Sequence, residues 1–156
     1  MTARLQEIAT LLGVNPKRAK EITNLELADE VKRGLPIAAI ERVFQFISPN
    51  DVSLRNRVVP KATLARRKAG AERRLSPQES DRVARMASLW AFAMDVWQST
   101  DAAQRFLGEP HPLLDGKIPY EVAVETANSI AANTVILAMA VYLHDFYAAK
   151  SNVDAE

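Results

Sequence analysis

Arg55, Arg57, Lys61, Arg66, Arg67, Lys68, Arg73 and Arg74 fall within one short stretch of a 156-residue chain. Cations at that density can neutralise phosphates, and on a helix they can also reach base edges. Pro60 divides the stretch into two short helical candidates, Ser53 to Val59 and Lys61 to Lys68. On the second, Leu64 and Ala65 turn inward, leaving Lys61, Thr63, Arg66, Arg67 and Lys68 to approach phosphates or base edges. Two short helices about a tight turn are what a helix-turn-helix unit requires, here with proline where glycine is usual. A merely solvated basic surface accounts for the same residues equally well, and Lys and Arg alone favour no particular base.

The residue types that carry most enzyme chemistry are sparse. Cysteine is absent, which excludes thiol chemistry and a disulfide framework, and the only two histidines, His111 and His144, are far apart. A zinc site would have to lean on carboxylates. No glycine-rich phosphate loop, metalloprotease pair or nucleophile elbow occurs. Ser76-Pro77-Gln78-Glu79 is explained without catalysis, by a capping hydroxyl, a proline at the first helical position and a glutamate that reaches back to the cap. His111 has Glu109 and Asp115 nearby but neither nucleophile nor cleft. His144 and Asp145 are adjacent on a helix and so do not face each other. The expectation is no enzyme, no cofactor and no metal.

Helices position these residues throughout, so the fold expected is all-α. The clearest begins at Ser76 and reaches about Gln98, with Val83, Met86, Trp90, Met94 and Trp97 on one apolar face widened by Leu89, Ala93 and Val96. Upstream, Leu5, Ile8, Ala9, Leu11 and Leu12 predict a short helix ending at Gly13. Asn24 can cap another that runs to Arg33, offers Leu25, Leu27, Ala28 and Val31 to the interior, and stops at Gly34. Leu35-Pro36 opens the next, whose Ile37, Ile40, Val43, Phe44 and Ile47 keep helical spacing and pair it with its predecessor. Ser99 or Thr100 can cap a helix to Leu107 with Ala102, Ala103, Phe106 and Leu107 inward. Leu113, Leu114 and Ile118 of the following loop plug back into the core, Asp115-Gly116 makes a turn, and Pro119 starts a helix at Tyr120. Residues 127 to 149 carry more apolar side chains than one helical face needs.

Composition, 48% hydrophobic and 25% charged, fits one domain or two small ones. The net charge of +1 conceals a division: residues 1–74 hold 15 Lys+Arg against 8 Asp+Glu, and residues 75–156 hold 5 against 11. A basic half can attract a polyanion, and an acidic half needs a different partner. Two domains are expected, 1–74 and 75–156, with the Ser76 helix as their seam. No secretion signal or membrane span is evident, so the cytoplasm is the default.

Several segments together resemble the Xre/MbcA/ParS family of antitoxins over about residues 24 to 149. Gly34-Leu35-Pro36 and the apolar helix after it resemble the entry to the family's Xre-like domain. Pro60-Lys61-Ala62-Thr63-Leu64-Ala65-Arg66-Arg67 is similar to its "I-s-x-r-T-l-x-R-R" segment, and Leu75-Ser76-Pro77-Gln78-Glu79-Ser80-Asp81-Arg82 to its domain-linking "L-s-x-e-E-S-d-R". Ala102 to Pro119 resembles "A-x-x-W-L-x-x-P-n-x-a-L-g-G-x-x-P", with Phe106 in place of tryptophan and Asp115 in place of the first glycine. The chain lacks the family's glycine after Glu125-Thr126, and His144-Asp145-Phe146-Tyr147-Ala148 stands where "y-G-v-y-a" is usual, so an unbroken terminal helix is expected. Length and the Lys- and Arg-rich first half place it nearest the ParS type.

The resemblance implies an antitoxin of a RES-domain toxin, an ADP-ribosyltransferase-like enzyme that uses NAD and whose active site the antitoxin's C-terminal domain covers. It implies a homodimer or a toxin-antitoxin heterotetramer, and operator DNA bound by the N-terminal domain. Carried onto this chain, the toxin contact falls on Tyr142, His144, Asp145, Phe146, Tyr147 and Lys150. The alternative is a stand-alone helix-turn-helix transcriptional regulator with a dimerising C-terminal domain.

Overall fold

The computed structural model describes residues 2–15, 21–71, 73–125, 144–145 and 148. Those residues form α1 (Thr2–Leu12), α2 (Asn24–Arg33), α3 (Ala38–Ile47), α4 (Val52–Val58), α5 (Lys61–Ala69), α6 (Pro77–Trp97), α7 (Thr100–Gly108) and α8 (Pro119–Glu125), with a 3-10 turn at Pro112–Leu114. The architecture is all-α, as expected, and the described residues hold no strand, only the isolated bridges Pro36 to Arg74 and His111 to Lys117. The chain divides into two compact units, Met1–Ala91 and Phe92–Glu156. The division falls within α6, later than the 74/75 boundary read from the sequence.

In the first unit the core is built on α3, whose Ala39, Ile40, Val43, Phe44 and Ile47 are buried. Its packing partner is α1, through Ile8, Ala9, Leu11 and Leu12. The expected pairing of α2 with α3 is not what forms. No residue of α2 is buried, and Leu25 is 71% exposed. What holds α2 is local chemistry: Thr23, not Asn24, is its cap, with Thr23 Oγ1 accepting from Glu26 N at 3.2 Å and Glu26 Oε2 accepting from Thr23 N at 2.9 Å. A reciprocal capping box satisfies two orphan donors whatever the helix buries. The apolar face of α6 is buried through Val83, Met86, Leu89 and Trp90, so Trp90 is a core residue of this unit.

Gly34 ends α2 with its N-H shared between the Glu30 and Val31 carbonyls. At φ 102° and ψ 123° it lies where L side chains rarely go, and a Cβ there would meet the Leu75 carbonyl oxygen. The close approach has a purpose. Leu35 O accepts from Leu75 N at 2.9 Å, Ile37 N donates to Arg73 O at 3.2 Å, and Arg74 Nη1 donates to Gly34 O at 2.8 Å. The residues just before α3 are thereby laced to those just before α6.

In the second unit α7 packs against α8. Ser99 caps α7 by accepting from Ala102 N at 3.2 Å, and Ala103, Phe106 and Leu107 are buried. The connecting loop is tied by its own backbone, with His111 N donating to Lys117 O at 3.1 Å and Gly116 N to His111 O at 2.9 Å. Asp115 (φ 54°) and Gly116 (φ 79°) make the left-handed turn expected of Asp-Gly. The plug does not form as expected. Leu113 is 61% exposed, and Leu114 and Ile118 are half-buried, because the short 3-10 turn directs Leu113 outward.

Tyr120 is fully buried, and its hydroxyl has no hydrogen-bond partner among the described residues. Burial raises its pKa well above the ordinary 10.0. The unfolded chain ionises this phenol near pH 10 while the folded chain keeps it neutral, so the unfolded state binds fewer protons above that pH and stability falls as pH rises further. Tyr120→Phe should remove this alkaline loss and cost nothing at neutral pH, since no hydrogen bond is forfeited. Urea denaturation of both proteins at pH 7 and at about pH 10.5 checks the sign.

Candidate functional site

The basic stretch forms the two helices read from it, α4 and α5, joined at Val59 and Pro60. Asp51 starts α4 by accepting from Leu54 N at 3.1 Å, and Leu54, Val58 and Val59 are buried beneath it. Pro60 at φ −55° and ψ 143° delivers the chain into α5 without a side-chain cap. A proline can serve here because its missing N-H falls where no intrahelical acceptor exists.

Leu64 is the one buried residue of α5. Side chains three and four positions away share its face, whereas Arg66, two positions on, points elsewhere. Lys61, Arg67 and Lys68 all stand at such a spacing, so the face alone does not decide which cations are free; their partners do. Lys61 and Arg66 are exposed and have no side-chain partner among the described residues. Thr63 is half-buried. Lys68 is exposed, with Nζ 4.0 Å from Glu41 Oε1, and the same carboxylate lies 3.4 Å from Arg55 Nη1 on α4. Pairs this exposed contribute little, and a phosphate could replace Glu41 beside either cation. Arg67 is different. Its Nη2 and Nε donate to Glu79 Oε1 at 3.0 and 3.1 Å.

The segment Leu75 to Arg82 ties these helices to the rest of the unit, a role its capping pattern only partly reveals. Ser76 Oγ accepts from Glu79 N at 3.1 Å, as the cap requires. Glu79 is buried and serves both the cap and Arg67. Ser80, fully buried, accepts from Leu35 N at 2.8 Å and so joins α6 to the Gly34-Leu35-Pro36 entry. Arg82 Nη1 donates to Val58 O at 3.3 Å, satisfying a carbonyl in the last turn of α4. Ser80 and Arg82 belong to the segment that resembles "L-s-x-e-E-S-d-R", but nothing local to them announces partners 45 and 24 residues away.

The second unit presents an aromatic cluster. The Trp97 ring lies 5.8 Å from Phe106 and 5.6 Å, edge-on, from His144, while Phe106 lies 5.2 Å from His111. His111 Nε2 is 2.9 Å from the Phe106 carbonyl oxygen, a structural contact that ties loop to helix. A groove of about 620 Å³ opens here, lined among others by Trp97, Arg105, Phe106, His111 and the exposed Leu113. A second cleft is lined by Asp95, Val96, Trp97, Gln98 and His144. Of the residues expected to meet a partner protein, His144 is half-buried beside Trp97 and Asp145 is exposed, with Oδ1 3.5 Å from His144 Nδ1. Tyr142, Phe146, Tyr147 and Lys150 lie outside the described residues. Among the described residues no cluster of His, Asp and Glu could hold a metal ion, and no helix is long and apolar enough to cross a membrane.

No curated protein matches the chain. The family comparison does return a match, and it covers α4, α5 and the hydrogen bonds of Glu79, Ser80 and Arg82 described above. Residues 26–88 match the model of the antitoxin Xre-like helix-turn-helix domain, and over that span the chain is similar to an antitoxin of the Xre type.

Proposed function

We propose that this chain is an antitoxin that neutralises a RES-domain toxin, an ADP-ribosyltransferase-like enzyme that uses NAD, by covering its active site, and that it binds operator DNA to repress its own operon. The observation that carries the reading is the match over residues 26–88 to an antitoxin helix-turn-helix domain. In that span a short helix with exposed Lys61, Arg66 and Lys68 is mounted on a hydrogen-bonded base. The toxin assignment, and the ParS type within it, rest on the resemblance of residues 75–82 and 102–119 to the family's motifs. Charge supports a division of labour. Residues 75–156 carry 5 Lys+Arg against 11 Asp+Glu, which suits a partner with a cationic site rather than a nucleic acid.

In this reading the DNA contacts are Lys61, Thr63, Arg66 and Lys68. The toxin meets His144, Asp145 and the residues around them, Tyr142, Phe146, Tyr147 and Lys150. Apolar anchors in a groove would supply most of the affinity and acidic residues the orientation. The working assembly is a homodimer or a heterotetramer with the toxin, in the cytoplasm.

Native mass spectrometry of the chain purified from its own host at moderate salt tests this. The expected result is a stoichiometric second polypeptide that, only after the chain is removed, consumes NAD or transfers ADP-ribose from it to a protein. Deleting residues 142–156 should release it while leaving DNA binding intact. A homodimer carrying DNA and no second protein would instead establish the stand-alone regulator, with the C-terminal unit as a dimerisation element.

A further inference from the structure

We propose that Arg67 is a positioning residue and not a DNA contact: its ion pair with Glu79 sets the roll of α5 about its own axis, and with it the aim of Arg66. This rests on the DNA-binding reading above. Two adjacent arginines in one basic run thus have unlike roles.

Little else fixes α5. The helix has nine residues, buries only Leu64, and starts from Pro60 with no side-chain cap. A single apolar contact resists separation but not rotation. Arg67 stands one turn after Leu64 on the same face, so a bond there supplies the missing constraint. The bond is well made. Two guanidinium nitrogens converge on one oxygen of a carboxylate whose side chain is 8% exposed, whereas Arg67 itself is 34% exposed. Among the described residues Arg67 is the cation paired with Glu79, and the same carboxylate faces Ser76 N at 3.4 Å at the start of α6. Removing the arginine would leave a buried charge without its partner, so the side chain is not available to a phosphate at no cost. Arg66, exposed and unpaired among the described residues, is.

The test uses the full chain and a duplex enriched by the wild-type protein from a random-sequence library, with an unselected duplex as control. Affinity is measured between roughly 50 and 200 mM salt, where each phosphate contact contributes about 0.9 to the slope of log affinity against log salt. Arg66→Ala should flatten that slope by about one contact. Arg67→Gln and Glu79→Gln should each weaken the selected duplex about tenfold with the slope unchanged, and should leave the control duplex nearly unaffected, because aim matters to base contacts more than to phosphates. The double variant R67Q/E79Q should be no worse than either single one, the mark of a shared interaction.

Glu79→Gln keeps a side chain able to cap α6 and leaves no buried charge unpaired, so it tests the pairing without the folding cost of Arg67→Gln. A slope change for Arg67→Gln like that of Arg66→Ala, or full affinity in Glu79→Gln, overturns the proposal. Should the wild-type chain enrich no sequence, the DNA reading itself falls. Hydrogen exchange of the α5 amides then decides the pairing alone, with equal loss of protection in all three variants supporting it and unchanged protection removing it.

Discussion

Gly34→Ala is expected to lower the unfolding free energy by about 2–4 kcal/mol, measured as a shift of the urea midpoint at constant slope. Two separate costs meet at this position. A residue with a side chain is strained at φ 102°, and its Cβ would meet the Leu75 carbonyl oxygen, which is backbone and cannot rotate aside. Relief requires the strands of chain before α3 and α6 to part. That would lengthen the bond from Leu75 N to Leu35 O and the bond from Leu35 N to the buried Ser80 hydroxyl. Each buried group left unpaired costs about 1–3 kcal/mol. Gly108→Ala is the control. It ends α7 with nothing within 4 Å of an added Cβ, so alanine there should be neutral or slightly stabilising.

Removing both free cations of α5, in Lys61→Ala/Arg66→Ala, should reduce affinity for a selected duplex by roughly 10- to 100-fold at moderate salt and flatten the salt dependence by about two phosphate contacts. Neither side chain has a partner among the described residues or packs into the core, so the melting temperature should stay within a degree or two. Fluorescence anisotropy across a salt series separates the two effects. An unchanged slope with weakened binding would mean that these side chains act on the fold. An unchanged affinity would leave α5 as the solvated basic surface that its composition equally allows.

Helix identity was legible wherever an apolar period coincided with a terminator. The spacing from Val83 to Trp90 located α6, Ser76 and Glu79 its start, and Gly34 and Pro60 the breaks on either side of α3 and α4. Burial was legible only where periodicity was dense. Ile37, Ile40, Val43, Phe44 and Ile47 are all buried as their spacing predicts, with Ala39 beside them, but Leu25, Leu27 and Val31 have the same spacing on α2 and none is buried. An amphipathic pattern states that a face can be covered; it does not state by what. Leu113 makes the same point in a loop, where a leucine beside Pro-rich sequence is driven outward by a turn three residues long.

For the site, the shortness, charge and leading proline of α5 are legible in the sequence, because these are properties of neighbouring residues. So is the capping of α6 by Ser76 and Glu79, since a cap spans three residues. Which cations are free depends on contacts made across the fold. Arg67 is committed to Glu79, Arg74 to the Gly34 carbonyl and Arg82 to that of Val58. All of these are arginines in or beside one charge run, and composition cannot rank them. The physical reason is that a guanidinium reaches far enough to choose between solvent and a partner 12 to 40 residues away, and that choice depends on where folding delivers the acceptor.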